Sequence, residues 1–166
     1  MAKKNSAKKA KRRIGRIDRA DFPELRLYDI AVKIDTGAYT SSIHCENIRT
    51  YNRNGKQFLR FNVLDEEHPE YDKKGIMFRE FSQKIVKNSF GESEERFVIE
   101  STITLFDETF GIELALTDRG SMKYPVLLGR KILEKQFIVD VSRTFISFNK
   151  KAKQKNKSKQ KKRKKK

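Results

Sequence analysis

Cysteine, tryptophan and histidine are nearly missing from this chain. The single cysteine, Cys45, cannot form an internal disulfide, so a packed core must hold the fold, and the usage fits a reducing compartment. The two histidines, His44 and His68, fall short of the three protein ligands of a catalytic zinc, and neither has a histidine partner four residues away. His44-Cys45 is a pair of ligand types in an incomplete set, so the metal expectation is none. Adjacent residues on a strand point to opposite faces, which also disqualifies them as a nucleophile and base. No glycine-rich loop runs into Lys-Ser or Lys-Thr, which excludes a P-loop, and no cofactor is expected. No apolar run approaches the roughly 18 residues of a membrane span. The N-terminus is charged but has no apolar signal core, so the expected location is cytoplasmic.

Acidic residues are missing from both ends. Residues 1–13 carry seven Lys or Arg and residues 149–166 carry twelve, with no acid in either stretch. Removing these nineteen from the 39 basic residues of the chain leaves 20 against 22 acidic ones, so the +17 net charge is confined to the ends. The middle, 14–148, has the composition and size of one ordinary globular domain. Like-charged, apolar-poor ends resist collapse, so 1–13 and 149–166 are expected to be disordered basic tails. Their functional reading is attraction to a polyanion such as nucleic acid or the ribosome, and the plainer one is a solubilising tail. Stacking aromatics are absent from both, which argues against base recognition.

Between the tails the pattern is β. Ile43–Asn52, Lys56–Leu64, Gly75–Lys87, Glu95–Leu105 and Thr109–Leu116 are rich in β-branched and aromatic residues, and several alternate apolar with polar. Asn54-Gly55 reads as a hairpin turn; Phe90 to Ser93 and Asp107-Glu108 are further turn signals. Only Arg130–Lys135 invites a helix. The expected fold is all-β, a closed barrel with one short helix.

Within this pattern, Asp35-Thr36-Gly37-Ala38 follows the alternating stretch Leu27–Ile34. An Asp at a strand-to-loop corner can face a cleft while its backbone stays tied to the sheet; a Thr hydroxyl can lock the loop, and Gly permits close approach. Two such carboxylates about 3 Å apart share one proton and can hold a water between them, one acting as base and the other as acid. The triplet occurs once, so the chemistry would need a second copy of the chain. An ordinary strand-ending turn is the competing reading.

A second segment, Tyr124–Leu133 (YPVLLGRKIL), has an apolar run ending in Gly129-Arg130 and then a short helical pattern. Together with VKIDTGAYTSSIHC (32–45), the 84–105 stretch with its Ser-x-Gly turn, and FIVDVSRTFI (137–146), it resembles the RimK-associated, retropepsin-like aspartic peptidase family, long labelled ATP-dependent zinc proteases. The resemblance spans 14–148 and implies an acid-peptidase barrel acting as a homodimer. Asp35 would be catalytic, with Thr36, Gly37, Ala38, Gly129 and Arg130 supporting the loop. His44, Arg119 and Lys123 would lie near the cleft. The family commonly has Arg where Tyr39 stands here, which bears on substrate preference and not on Asp35. It tends to keep a His at position 44; a half-buried strand histidine satisfied by backbone is the alternative. Arg130 could equally be an exposed charge at a helix start.

The resemblance also implies a peptide or protein substrate, with the glutamate tails made by RimK-type ATP-grasp ligases as a candidate, and such a ligase as partner. Hairpins around Asn88–Ser93 or the segment Asp65–Lys74 are candidate flaps over the cleft. The competing function is a non-catalytic, peptidase-like module binding RNA or ribosomes through its basic tails.

Overall fold

The computed structural model describes residues 10–87, 91–118 and 123–163, with backbone alone at 155 and 158–163. In chain order the elements are β1 (Arg12–Gly15), β2 (Ile17–Phe22), β3 (Leu27–Ile34), β4 (Ser41–Arg53), β5 (Lys56–Val63), β6 (Ile76–Phe78), β7 (Phe81–Lys87), β8 (Ser93–Leu105), β9 (Glu108–Thr117), β10 (Val126–Leu128), α1 (Arg130–Gln136), β11 (Phe137–Asp140) and α2 (Ile146–Arg163). The molecule is mostly β, as its alternation implies.

Strand pairing runs β10-β3-β2-β8-β9-β4, and β4 pairs back to β10, so these six strands form a ring of pairings. The β2–β8 link rests on the single pair Asp21↔Thr104. Strands β5 and β6 extend from β4, and β7 lies on β8. Period-two alternation lines the interior: Leu27, Ile30, Val32 and Ile34 from β3 meet Ile99, Ile103 and Leu105 from β8 and Leu114 and Leu116 from β9 in one cluster. Burying each such side chain contributes about 1.5–3 kcal/mol, so this cluster supplies much of the driving force for closing the ring. The β4–β5 hairpin turns at Asn54 and Gly55 with φ of 53° and 71°, the left-handed pair that a type I′ turn requires.

The ends depart from the sequence reading. Arg12 and Arg13 belong to β1, which pairs in parallel with β11 through Arg12↔Phe137 to Gly15↔Asp140. The C-terminal stretch expected to lack structure is helical as far as Arg163. Its start is fixed by β2: the fully buried Asp18 carboxylate accepts the backbone N–H of Ser147 at 2.9 Å and of Phe148 at 3.1 Å. These are N–H groups that a helix cannot satisfy itself, and a carboxylate there also complements the helix dipole. Ser147 Oγ accepts the Phe106 N–H at 2.6 Å, and Lys151 pairs with Asp21 at 2.7 Å. Beyond this anchor the sequence holds unbranched Lys and Gln with no Gly or Pro, all tolerant of helix.

Asp18→Ala leaves two helix-start donors without their acceptor in a buried place. We expect a loss of about 2–3 kcal/mol, read from the urea midpoint, with a parallel fall in helical circular dichroism. An unchanged midpoint would show that Asp18 does not anchor α2.

Candidate active site

The Asp35 loop leaves β3 where β3 and β10 run side by side. Val126↔Val32 and Leu128↔Ile34 set the register, and the Asp35 N–H continues the ladder to the Leu128 carbonyl at 2.9 Å. The carboxylate is thereby presented from a strand end. Its Oδ1 accepts the N–H of Gly37 at 2.9 Å and of Ala38 at 3.2 Å, which folds the loop back over the side chain. Among the described residues no donor reaches Oδ2.

Gly129 and Arg130 clamp this loop from behind. A Cβ at Gly129 would stand 2.6 Å from the Tyr39 carbonyl oxygen and 2.7–2.8 Å from the Thr40 carbonyl group, all of it backbone that has nowhere to move. The Gly129 N–H donates to Ser41 Oγ at 3.0 Å. One guanidinium nitrogen of Arg130 reaches the carbonyls of Thr36 at 3.1 Å and Gly37 at 2.8 Å, and the Arg130 and Lys131 N–H groups bind the carbonyls of Ala38 and Tyr39 at 2.9 and 3.0 Å. Arg130 is therefore a loop tether. Its guanidinium also lies 5.9 Å from the centre of the Tyr39 ring, so the residue that departs from the family pattern packs on the tether. The Thr36 side chain is exposed, and among the described residues its hydroxyl takes no part in this bracing.

The other sequence candidates lie elsewhere. His44 is buried and sits at the opposite end of β10 from Asp35, where its N–H binds the Pro125 carbonyl at 2.8 Å. Its ring nitrogens lie 3.6 Å from Asp118 and 3.8 Å from Asp65, so it sits between two carboxylates. No group of His, Cys, Asp and Glu able to hold a metal occurs among the described residues. Lys123 is exposed against the Tyr124 ring at 5.8 Å; Arg119 lies outside the described residues. Burial pushes the Cys45 thiol well above its ordinary range, which makes it an inert core group.

Of the two flap candidates, Asp65–Lys74 is a surface loop pinned to β5: Asn62 and Arg60 donate to the carbonyls of Asp72 and Lys74 at 2.8 and 2.9 Å. The other is the hairpin of β7 and β8, paired from Phe81↔Ile99 to Lys87↔Ser93, and its Asn88–Phe90 tip is outside the described residues. Sequence reasoning missed the knot that ties this hairpin to α1. Glu113 Oε2 on β9 accepts both Lys84 of β7 and Lys131 of α1 at 2.7 Å. The three are far apart in sequence, so no spacing could reveal them.

An aspartate at a strand end, a following loop folded onto its carboxylate, and a Gly-Arg strand crossing behind it define a retropepsin-like arrangement. The model of the RimB-like family, described as retropepsin-like aspartic endopeptidase RimB, matches residues 13–150, and the chain belongs to that family. Relatives include proteins named probable alpha-L-glutamate ligase from Shewanella pealeana, 40% identical over 80% of this chain, and Parasynechococcus marenigrum, 34% identical over 76%. This chain spans only 29% and 27% of those two relatives. A crystal structure of a Legionella pneumophila protein of unknown function is similar, with TM-score 0.61 and 27% identity, covering 83% of this chain and 99% of that one. Among the described residues no helix is long and apolar enough to cross a membrane.

Two expectations test the clamp and the knot. Gly129→Ala forces a methyl into backbone and should lower stability by about 1–3 kcal/mol in thermal melts; a wild-type melt would mean the strand can retreat from the loop. For Glu113, burial by itself raises the pKa, but the Lys131 and Lys84 ammoniums outweigh it and hold the carboxylate below its ordinary value. Its stabilisation is complete above the unfolded-state pKa and fades as pH falls through the folded one. Because both lysines are about half exposed, the gain is about 1 kcal/mol. Glu113→Gln should bring the urea midpoint down at neutral pH and flatten its acid slope; identical pH profiles would dismiss the knot.

Proposed function

We propose that the chain is an aspartic endopeptidase that works as a homodimer, with Asp35 of each copy forming the catalytic dyad. The observation that carries the reading is the half-committed carboxylate: Oδ1 is engaged by the loop's own N–H groups, and among the described residues no donor binds Oδ2. A single Asp-Thr-Gly loop supplies one carboxylate, so the chemistry needs a second copy. The exposed Thr36 and Gly37 give that copy a surface to approach.

In the dimer, the ionised Asp35 takes a proton from the bound water as its oxygen bonds to the scissile carbonyl carbon. The protonated Asp35 of the other copy gives its proton to the carbonyl oxygen. Collapse of the tetrahedral intermediate breaks the C–N bond as the amine gains a proton, and the dyad returns to its singly protonated state. Arg130 serves as a positioning residue, holding the carbonyls of Thr36 and Gly37 so that the two carboxylates meet at fixed separation.

The substrate class follows from the relatives. Those at 40% identity are named as glutamate ligases, and this chain corresponds to less than a third of their length, so the domain recurs within polypeptides named for adding glutamate. A peptidase acting on glutamate-tailed proteins, alongside a RimK-like ligase, fits that pairing. Arg130, beside the loop, would favour acidic peptides.

Full-length protein and Asp35→Asn should have the same mass in solution, that of a dimer. Only the wild type should cleave a peptide carrying a glutamate tail, and the variant should lose at least about three orders of magnitude in rate. Cleavage that survives Asp35→Asn removes the dyad; preference for an apolar peptide over the glutamate-tailed one removes the substrate class alone.

A further inference from the structure

The helix α2 is the strongest unexplained feature of the surface. Its 18 residues, Ile146–Arg163, contain nine Lys or Arg and no acid. At 1.5 Å per residue it is about 27 Å long. The only apolar side chains along it are Ile146, Phe148 and Ala152, all in its first two turns. It therefore has no apolar face to lay into a lipid surface, which needs a hydrophobic stripe opposite the charged one.

The root of the helix is shaped as well as charged. A cleft of about 440 Å³ is lined by Arg143, Thr144, Ile146, Asn149, Lys150 and Lys153, and no carboxylate lines it. Lys150 and Lys153 are exposed, and Lys157, exposed too, continues the same helical face at spacings of three and four residues. Among the described residues neither Lys150 nor Lys153 takes part in an ion pair, whereas Arg143 pairs with Asp140 at 3.6 Å and Lys151, on a different side, is held by Asp21. The row thus begins in a cationic cleft with hydroxyl and amide groups beside it, chemistry suited to phosphate oxygens.

The distribution round the helix selects the partner. Positions 150, 153 and 157 lie on one side, and Lys151 lies on another. A membrane or a single acidic peptide can meet one side only. A double-helical groove has phosphates on both walls and is wide enough in B-form DNA to admit an α-helix. Asp18 and Ser147 fix the direction in which α2 leaves the domain, so such contact would orient the whole molecule.

We propose that α2 is a duplex nucleic-acid binding element that docks by phosphate contact, with Lys150, Lys153 and Lys157 forming its principal row. The binding is expected to be independent of base sequence, because Lys contacts to phosphate carry no sequence information and aromatic side chains are missing beyond Phe148.

The test uses the full-length chain and fluorescently labelled 20-base-pair duplexes of RNA and of DNA, titrated across a salt series. The Lys150→Gln/Lys153→Gln/Lys157→Gln variant should bind at least about tenfold more weakly at physiological salt, with the slope of log affinity against log salt reduced by about 2–3. Its peptide cleavage should be unchanged. Tighter binding to one duplex identifies the groove used. Equal affinity of variant and wild type overturns the proposal, as does binding to anionic phospholipid vesicles or to polyglutamate with none to either duplex. Circular dichroism of the variant confirms that α2 is retained.

Discussion

The close approach of β10 to the Asp35 loop is the contact on which the rest of this structure depends. Three backbone groups converge there: the Leu128 carbonyl on the Asp35 N–H, the Gly129 α-carbon against the carbonyls of Tyr39 and Thr40, and the Ala38 carbonyl on the Arg130 N–H. Only a residue without a side chain fits at 129, and at 130 a long cation reaches forward to Thr36 and Gly37 while its backbone starts α1. The same short strand closes the ring of pairings by joining β3 to β4. Closing the fold and shaping the loop are therefore one event. A loop bearing a reactive carboxylate has to be rigid without being buried, and tethering its carbonyls from behind satisfies both conditions.

Around this centre the polar links are long-range and reciprocal. Glu113 draws Lys84 and Lys131 to one oxygen, so the β7–β8 hairpin and the helix that carries the tether are referenced to the same strand. Each pair alone, half-exposed as it is, would contribute little. Two cations sharing one nearly buried carboxylate also repel each other, so the arrangement fixes where β7 and α1 stand more than it adds stability. His44 makes a similar point at the far end of β10. A buried imidazole between Asp65 and Asp118 joins the start of a surface loop to the end of β9, a structural position and not a place beside Asp35.

Much of this was legible in the sequence, and what was not has a common cause. Most strands from Leu27 to Thr117 announced themselves because they are rich in β-branched and aromatic residues and several alternate as a strand facing a core does, although β7 buries none of its residues. The Asn54-Gly55 turn was legible because its left-handed backbone restricts residue choice. The Asp-Thr-Gly and Gly-Arg segments pointed to the loop and its crossing strand because the geometry permits few residues there. Short β1 was hidden in a basic stretch, since its partner β11 lies more than a hundred residues away. The reading of 149–166 as unstructured failed for the same reason. Charge repulsion was correctly weighed, but the acceptor that starts α2 is Asp18, 129 residues upstream of Ser147, and local composition holds no trace of it.

The two ends of the chain also show how charge has been partitioned. The central domain has slightly more acid than base, whereas the cations gather where they do not oppose the fold. A domain of that balance would not attract an acidic chain by its overall field, so any such attraction must come from particular groups near the loop, such as Arg130, or from the ends. The C-terminal share of this charge rides on a helix anchored at one buried carboxylate and about 27 Å long, so its far end stands well beyond the roughly 8 Å over which salt leaves exposed charges coupled to its root. The root of α2 stays close to the strand that carries Asp35, because the Phe145 N–H binds the Ile17 carbonyl at 2.8 Å and the Ile34 N–H binds the Arg16 carbonyl at 3.0 Å. The buried anchor at Asp18 thus sets where the cations of α2 begin, and the length of the helix sets how far they extend from the domain.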